Sequence, residues 1–376
     1  MTTTEIIAML NDGIRDLGLV TVNEQGQTVP YTITADNYGS DFMSELQALS
    51  DDRLTYLIKG IFALNKTRAW KNLFDASKNK FRVFIEDMNV KGWTIKDYFI
   101  RLIDGITPFW SLPLDPLSVN ASEEEIAKGL VRTYEQMVDV KYHYTPFKKQ
   151  FPCTIDEKDY GKYFENSYTF TNFINDKIVN VSTSAEVWLY KNVLIDEVRT
   201  IVTDEDCVFK TGFEPNSAIG IKHYIEVLQT LASDFRQPTN SYNKKGVVSI
   251  TPEEMPVYYI TKKSFLARLG VYVEGGTYNL DKLAIPSAEN IILIPENESL
   301  GTYTYTEGGV SVTKNVQLVM LDRRTMVIGL RTWLMSEFRI ANTLKHNYWL
   351  NVEGIRSHND FFNCVALVGD DISAFQ

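Results

Sequence analysis

Between Val316 and Val368 the chain passes through four apolar stretches, each bounded by turn-forming or charged residues. They are Val316–Leu321, Met326–Ile340, Tyr348–Val352 and Phe361–Val368, and Asp322-Arg323-Arg324 separates the first two. Short apolar runs divided in this way predict strands, and four in succession predict a terminal antiparallel sheet. Residues 326–344 also fit a helical spacing through Leu330, Leu334, Phe338 and Ala341. The β-branched Val327, Ile328, Thr332 and Ile340, with aromatic Trp333 and Phe338, favour strands there.

Upstream, the texture alternates. Ile6, Ile7, Met9, Leu10, Ile14 and Leu17 mark one helical face, and Leu46, Leu49, Leu54, Leu57, Ile58, Ile61 and Phe62 another, with Ser50-Asp51-Asp52 as a cap between two helices. Phe81–Ile85 reads as a strand, Ile95–Ile103 as a helix, and Asp139–Phe147 as a second strand. Ser122 with Glu125 opens a helix within the long excursion between the two strands. Tyr168–Val181 and Thr183–Thr203 carry the strongest helical pattern; Thr183 with Glu186 has capping-box spacing and predicts a break near Ser182. Glu186, Lys191, Asp196, Glu197 and Arg199 then form a solvated face. A helix follows Ser217, Pro256–Ile260 and Ile291–Ile294 read as strands, and Ser264–Gly270 as a short helix. The fold class is therefore α+β.

A net charge of −10 argues against a chain whose task is gripping nucleic acid, although not against enclosing it. The apolar runs all fall short of the ~18 residues of a membrane span. Cys153, Cys207 and Cys364 are widely separated and form no CxxC or Cys/His pair, so neither a zinc site nor a disulfide framework is indicated. His143, His223, His346 and His358 occupy unrelated contexts; His358-Asn359-Asp360 reads as a polar turn between strands. The sequence contains no phosphate loop, nucleophile elbow or HExxH motif. Without a nucleophile, base and orienter, an enzyme is disfavoured, and no cofactor or metal is expected. Among the basic pairs, Arg323-Arg324 in the closing sheet is the best candidate for contact between subunits.

Taken in order, these pieces resemble the HK-97-like capsid fold, and in particular the major capsid proteins of short-tailed phages related to phi-29. The strand–excursion–strand containing Gly92-Trp93-Thr94-Ile95-Lys96-Asp97 resembles the family's extended loop (E-loop). The helices from 168 to 203, opening Tyr168-Thr169-Phe170-Thr171-Asn172-Phe173, resemble the helical pair that includes the family's spine helix. The resemblance implies an N-terminal arm with helices over 1–80, an E-loop region over 81–152, and a peripheral (P) domain over 153–204. It implies an axial (A) domain over 205–315 and a return to the P domain over 316–376. It further implies a shell subunit assembling as pentamers and hexamers around double-stranded DNA without sequence-specific binding. Scaffolding and portal proteins are the implied partners, the host bacterial cytoplasm the place of assembly and the virion the destination. Trp93, Tyr98, Phe99, Phe109 and Trp110 of the excursion, with Arg323, Arg324 and Arg339, are the candidate subunit contacts, because an aromatic-rich loop cannot bury all its rings alone. A tail or collar component, or an encapsulin-like compartment shell, are the related alternatives.

Overall fold

Helices α1 (Thr3–Leu17), α2 (Asp41–Gln47) and α3 (Asp51–Leu73) form where the apolar spacing predicts them. The computed structural model describes residues 3–370 apart from 18–19, 23–24, 40, 48–49, 76–79, 88–94, 101–137, 144, 215 and 268–289. Ser50 takes the cap position of α3 in extended backbone, but its side chain makes no capping hydrogen bond. Leu54, Leu57, Ile58, Ile61 and Phe62 of α3 are buried, and Ile6, Leu10 and Ile14 of α1 join the same core. Short strands β1 (Val20–Val22) and β2 (Thr28–Pro30) pair between these helices.

Two segments ahead of the long helix depart from the sequence reading. Lys80–Phe84 is a 3-10 turn in which Phe81 and Phe84, three residues apart, are both buried; the strand β3 (Ile85–Asp87) starts only afterwards. Ile95–Ile100 is not helical but forms strand β4, in full antiparallel register with β5 (Val138–His143). β-Branched and aromatic residues fill β4, and six residues are too few for a helical period to outweigh that preference. The predicted helix at Ser122 lies outside the described residues.

After β6 (Thr145–Asp156) and the short α4 (Tyr160–Tyr163), the chain is helical from Ser167 to Thr203. Asn166 and Thr169 form a reciprocal capping box at its start. The run comprises α5 (Ser167–Phe173), α6 (Asn180–Leu189) and α7 (Asp196–Thr203), joined through π-helical turns at Ile174–Val179 and Tyr190–Ile195. The break expected near Ser182 does not occur. Ser182 is buried, and Asn65 of α3 donates to its hydroxyl and to the Ile178 carbonyl, so tertiary packing overrides the local capping signal.

The closing segment divides between two sheets instead of forming one. Strands β11 (Val310–Asp322) and β14 (Cys364–Gly369) enter a six-stranded sheet of order β7-β14-β11-β8-β9, with β10 (Thr302–Glu307) paired to the first half of β11. The others are β7 (Val208–Phe213), β8 (Val257–Lys262) and β9 (Ile291–Ile294). Val319, Leu321, Ala366 and Val368 face the core shared with the long helix, whereas Leu318, Met320, Val365 and Leu367 face α8 (Ala218–Asp234). A sheet covered on both faces requires continuous apolar runs, as these strands have.

Strands β12 (Met326–Ile340) and β13 (Lys345–His358) instead join β3 and β6 in a four-stranded sheet of order β3-β12-β13-β6. In β13, His346, Tyr348, Leu350 and Val352 are buried while the residues between them are not, which is the signature of one covered face. That face packs on α3: Phe62 stacks on Tyr348 with ring centroids 4.4 Å apart, and the Trp333 indole donates to the Lys66 carbonyl at 3.2 Å. Different demands for burial on the two faces thus sort the four apolar stretches into two sheets.

Gly354 sits in β13 where a Cβ would press on the Gly329 carbonyl and the Phe147 ring. Gly354→Ala is expected to destabilise the chain by about 1–3 kcal/mol through overpacking. Urea unfolding of the unassembled protein tests this; a midpoint equal to wild type contradicts it.

Candidate subunit interface

The arginines proposed from sequence have partners within their own chain. Asp322, fully buried, ends β11 and accepts from the Arg324 backbone at 2.8 Å, from Arg324 Nε and Nη2 at 3.0 and 2.7 Å, and from Thr251 Oγ1 at 2.7 Å. The Arg324 guanidinium also lies over the Phe362 ring, 4.2 Å from its centroid, and donates to the Ile250 carbonyl. Arg323 Nε donates to the Val83 carbonyl at 3.0 Å, at the rim of a 270 Å³ cleft lined by Phe84, Met255 and Phe362. Arg339 makes a two-pronged pair with Glu157, at 2.7 and 2.9 Å. Tyr98 and Phe99 lie in β4, where only the backbone path is described; Trp93, Phe109 and Trp110 lie outside the described residues.

Sequence reasoning missed the two ends of β13. Each carries a histidine with both ring nitrogens against carboxylates, an arrangement in which both donate only when the ring holds two protons. At one end, His346 Nε2 lies 2.6 Å from Glu157 and Nδ1 lies 3.1 Å from Glu337. Arg339 and Lys59 complete this cluster, Lys59 at 3.0 Å from Glu337. The Arg339 hydrogen bonds, with help from His346 and against the effect of burial, hold the Glu157 carboxyl below its ordinary value.

At the other end, His358 Nδ1 lies 2.9 Å from Glu197 on α7, and Nε2 meets Asp206 on the loop leading to β7. Lys244 reaches Asp206 at 2.6 Å, and Arg356 reaches Asp196 at 2.7 Å and Glu197 at 3.5 Å. Burial opposes charge on His358, yet the Asp206 and Glu197 hydrogen bonds outweigh it and push its pKa up to about 9. Burial likewise opposes charge on Asp206, but His358 and Lys244 bring it down to about 2. The solvated face expected on the long helix is therefore partly engaged: Glu197 is 2% exposed, and Arg199 and Lys191 both pair with Glu298. The turn at His358-Asn359-Asp360 exists, but Asn359 and Asp360 are buried in it. A histidine at each end of one strand carries no recognisable motif, so only the fold reveals these clamps.

Among the described residues, no group of three or more His, Cys, Asp or Glu is placed to hold a metal ion. Cys153, Cys207 and Cys364 are buried free thiols. No helix among the described residues is long and apolar enough to cross a membrane.

The chain combines a long helix with a one-sided sheet, a doubly covered sheet and a separate strand pair, and it has the HK-97-like capsid fold of the phage capsids on which it superposes. The capsid structure of Staphylococcus phage Andhra superposes with a TM-score of 0.54 at 11% identity, covering 77% of this chain and 83% of that one. A chain from the native bacteriophage P68 structure with head fiber and inner core protein gives 0.52 at 12% identity, covering 77% and 84%. No curated protein matches the chain. Residues 64–368 match the Phi29-like phage major capsid protein family, and the chain belongs to that family. It is a major capsid protein of a tailed phage, a structural protein of the virion that assembles into the capsid shell.

The clamp at His358 makes stability depend on pH. Because its folded value lies above the ordinary 6.5, its contribution is complete below that pH and disappears as pH rises through about 9. The contribution of Asp206 is present above its ordinary 3.8 and is lost as pH falls through about 2. Removing the imidazole leaves Glu197 buried with weaker compensation, so His358→Ala should lose about 3–5 kcal/mol at neutral pH. Urea unfolding at pH 7 and 9.5 checks both parts: wild type should weaken at the higher pH and His358→Ala should change far less.

Proposed function

We propose that this chain assembles as pentamers and hexamers that close an icosahedral shell around double-stranded DNA. In this reading the six-stranded sheet with α8 serves as the axial domain, built on residues 205–315 with β11 and β14 added from the closing segment. The four-stranded sheet with the long helix serves as the peripheral domain, and residues 1–80 form the N-terminal region. Scaffolding and portal proteins are the partners, the host bacterial cytoplasm is the site of assembly, and the chain has no catalytic role. The family match over residues 64–368 is the observation that carries this reading.

The pairing of β4 with β5 supports an extended loop, because it brings both ends of the 101–137 stretch together at one place. In the proposed shell, the excursion buries Phe109 and Trp110 of that stretch, and Trp93 just before β4, against an adjacent subunit, with Tyr98 and Phe99 on the β4 strand of its stem. Large aromatic side chains dominate protein contacts of this kind. The net charge of −10 suits a container that holds DNA without gripping it.

Electron microscopy of the protein, expressed alone and together with neighbouring gene products, separates the readings. Closed shells support a capsid, whereas rings or tubes point to a tail or collar component. Replacing Trp93 and Trp110 with Ala should abolish shells while leaving a folded, unassembled protein by circular dichroism. Normal shells from that double variant would refute the loop's role.

A further inference from the structure

The outer face of the four-stranded sheet is open, and its residues are set out in cross-strand rungs. Lys148, Glu353 and Thr332 form the first rung, then Gln150, Asn351 and Leu334, then Pro152, Trp349 and Ser336. Thr154, Asn347 and Phe338 follow, and Asp156, Lys345 and Ile340 complete it. Phe338 is 61% exposed and Leu334 54%, and Trp349 and Ile340 are only partly covered. Leu334, Trp349 and Phe338 are diagonal neighbours in the register, a cluster and not the singly scattered apolar residues of an ordinary surface.

Most polar members of this face are already paired with one another. Lys148 meets Glu353 at 2.5 Å, Gln150 donates to Asn351 at 2.6 Å, and Thr154 donates to Asn347 at 2.7 Å. The Asn351 amide donates in turn to Ser336 at 2.9 Å. Covering the face would therefore strand few polar groups, which is the usual obstacle to burying a polar surface. Its ionic groups also cancel: Lys148 stands against Glu353, and Lys345 against Asp156 in the register.

The β6 edge of the same sheet is poorly suited to strand addition. Proline survives in a paired strand only where its nitrogen faces the open side, so Pro146 and Pro152 remove two donors from the edge of β6. Lys148 and Lys149 place charge on that strand as well. At the β6 side, a partner meets this sheet through its face more readily than by extending its ladder.

We propose that this face, centred on Phe338, Leu334 and Trp349, docks a second copy of this chain. Assembly of copies into a shell supplies the occupant, and charge permits it. Each copy carries a net −10, and a locally neutral, internally paired patch is where two of them can approach without opposing like charges. The inference rests on the shell reading above and adds a contact surface distinct from the aromatic loop.

The test uses the full chain. Leu334→Asp with Phe338→Asp changes only outward-facing side chains, so the variant should retain the wild-type circular dichroism spectrum and melt. It should yield at least about tenfold fewer shells by sedimentation and microscopy, as expected for the centre of an interface. Hydroxyl-radical footprinting of the wild type gives a readout independent of the variant's folding: labelling of Phe338 and Trp349 should fall about fivefold or more on assembly. Wild-type shells with unchanged labelling, or variant shells at the wild-type yield, overturn this contact and leave the capsid reading standing. A wild type that remains monomeric with and without neighbouring gene products overturns both. If it forms only smaller oligomers, the same labelling comparison decides for or against the face while the shell reading falls.

Discussion

The buried carboxylate of Asp322 stands where the chain leaves one sheet for the other, and the two-sheet architecture turns on it. Its oxygens take hydrogen bonds from Thr251 and from three nitrogens of Arg324, so an acid without solvent contact is satisfied entirely within the chain. Around it, Asp322 N donates to the Asn363 carbonyl and Asn359 N to the Thr325 carbonyl, tying the start of β14 and the end of β13 to the same corner. A buried acid left without these donors would be severely penalised. The corner therefore fixes both the direction in which β12 departs and the return path of β14.

From that corner the two sheets extend with different requirements, and the long helix meets both. Its second half carries Val198, Ile201 and Val202 into the shared core, while Glu197 reaches His358 at the end of β13. Tyr190 donates to the Leu293 carbonyl of β9 at 2.6 Å, so the six-stranded sheet is tied to the same helix by a polar contact as well as by packing. Two π-helical turns in this helix accommodate neighbours: the first offers the Ile178 carbonyl to Asn65, and the second offers the Asn192 carbonyl to Arg356. The helix thus acts as the common element against which both sheets are positioned.

What the sequence discloses follows from how local each signal is. Strands β8, β9 and β12 and helices α1, α3 and α8 were legible because apolar period and capping residues act within a few positions. The β-branched content of 326–340 correctly outweighed its helical spacing, since the sheet needs stiff side chains there. The reading failed at Ser182, where Asn65, 117 positions away, supplies the partner that the capping signal leaves out. It failed at Ile95–Ile100 because the partner strand β5 lies beyond a long excursion. The histidine clamps were invisible for the same reason: Glu157 and His346 are 189 positions apart, and Glu197 and His358 are 161 apart. Arg324, read as a candidate subunit contact, also pairs within its own chain with Asp322 two residues away.

The long sequence separations also bear on when the proposed contact face comes into being. Its rungs pair residues 193 and 201 positions apart, Thr154 with Asn347 and Gln150 with Asn351. Strand β6 is made well before the central strand it needs, β13, which follows only after β7 to β12. Pairings of such range are slow to form, because the loop-closure entropy must be met before any contact rewards it. Until β13 arrives, Gln150 and Thr154 lack their partners and Leu334 and Phe338 have no sheet to present them. A face built in this way exists only once β13 has joined β6 and β12, so competence to dock another copy is coupled to completion of that sheet. For a protein that must gather in many copies without trapping half-folded neighbours, that coupling follows from topology alone and requires no separate switch.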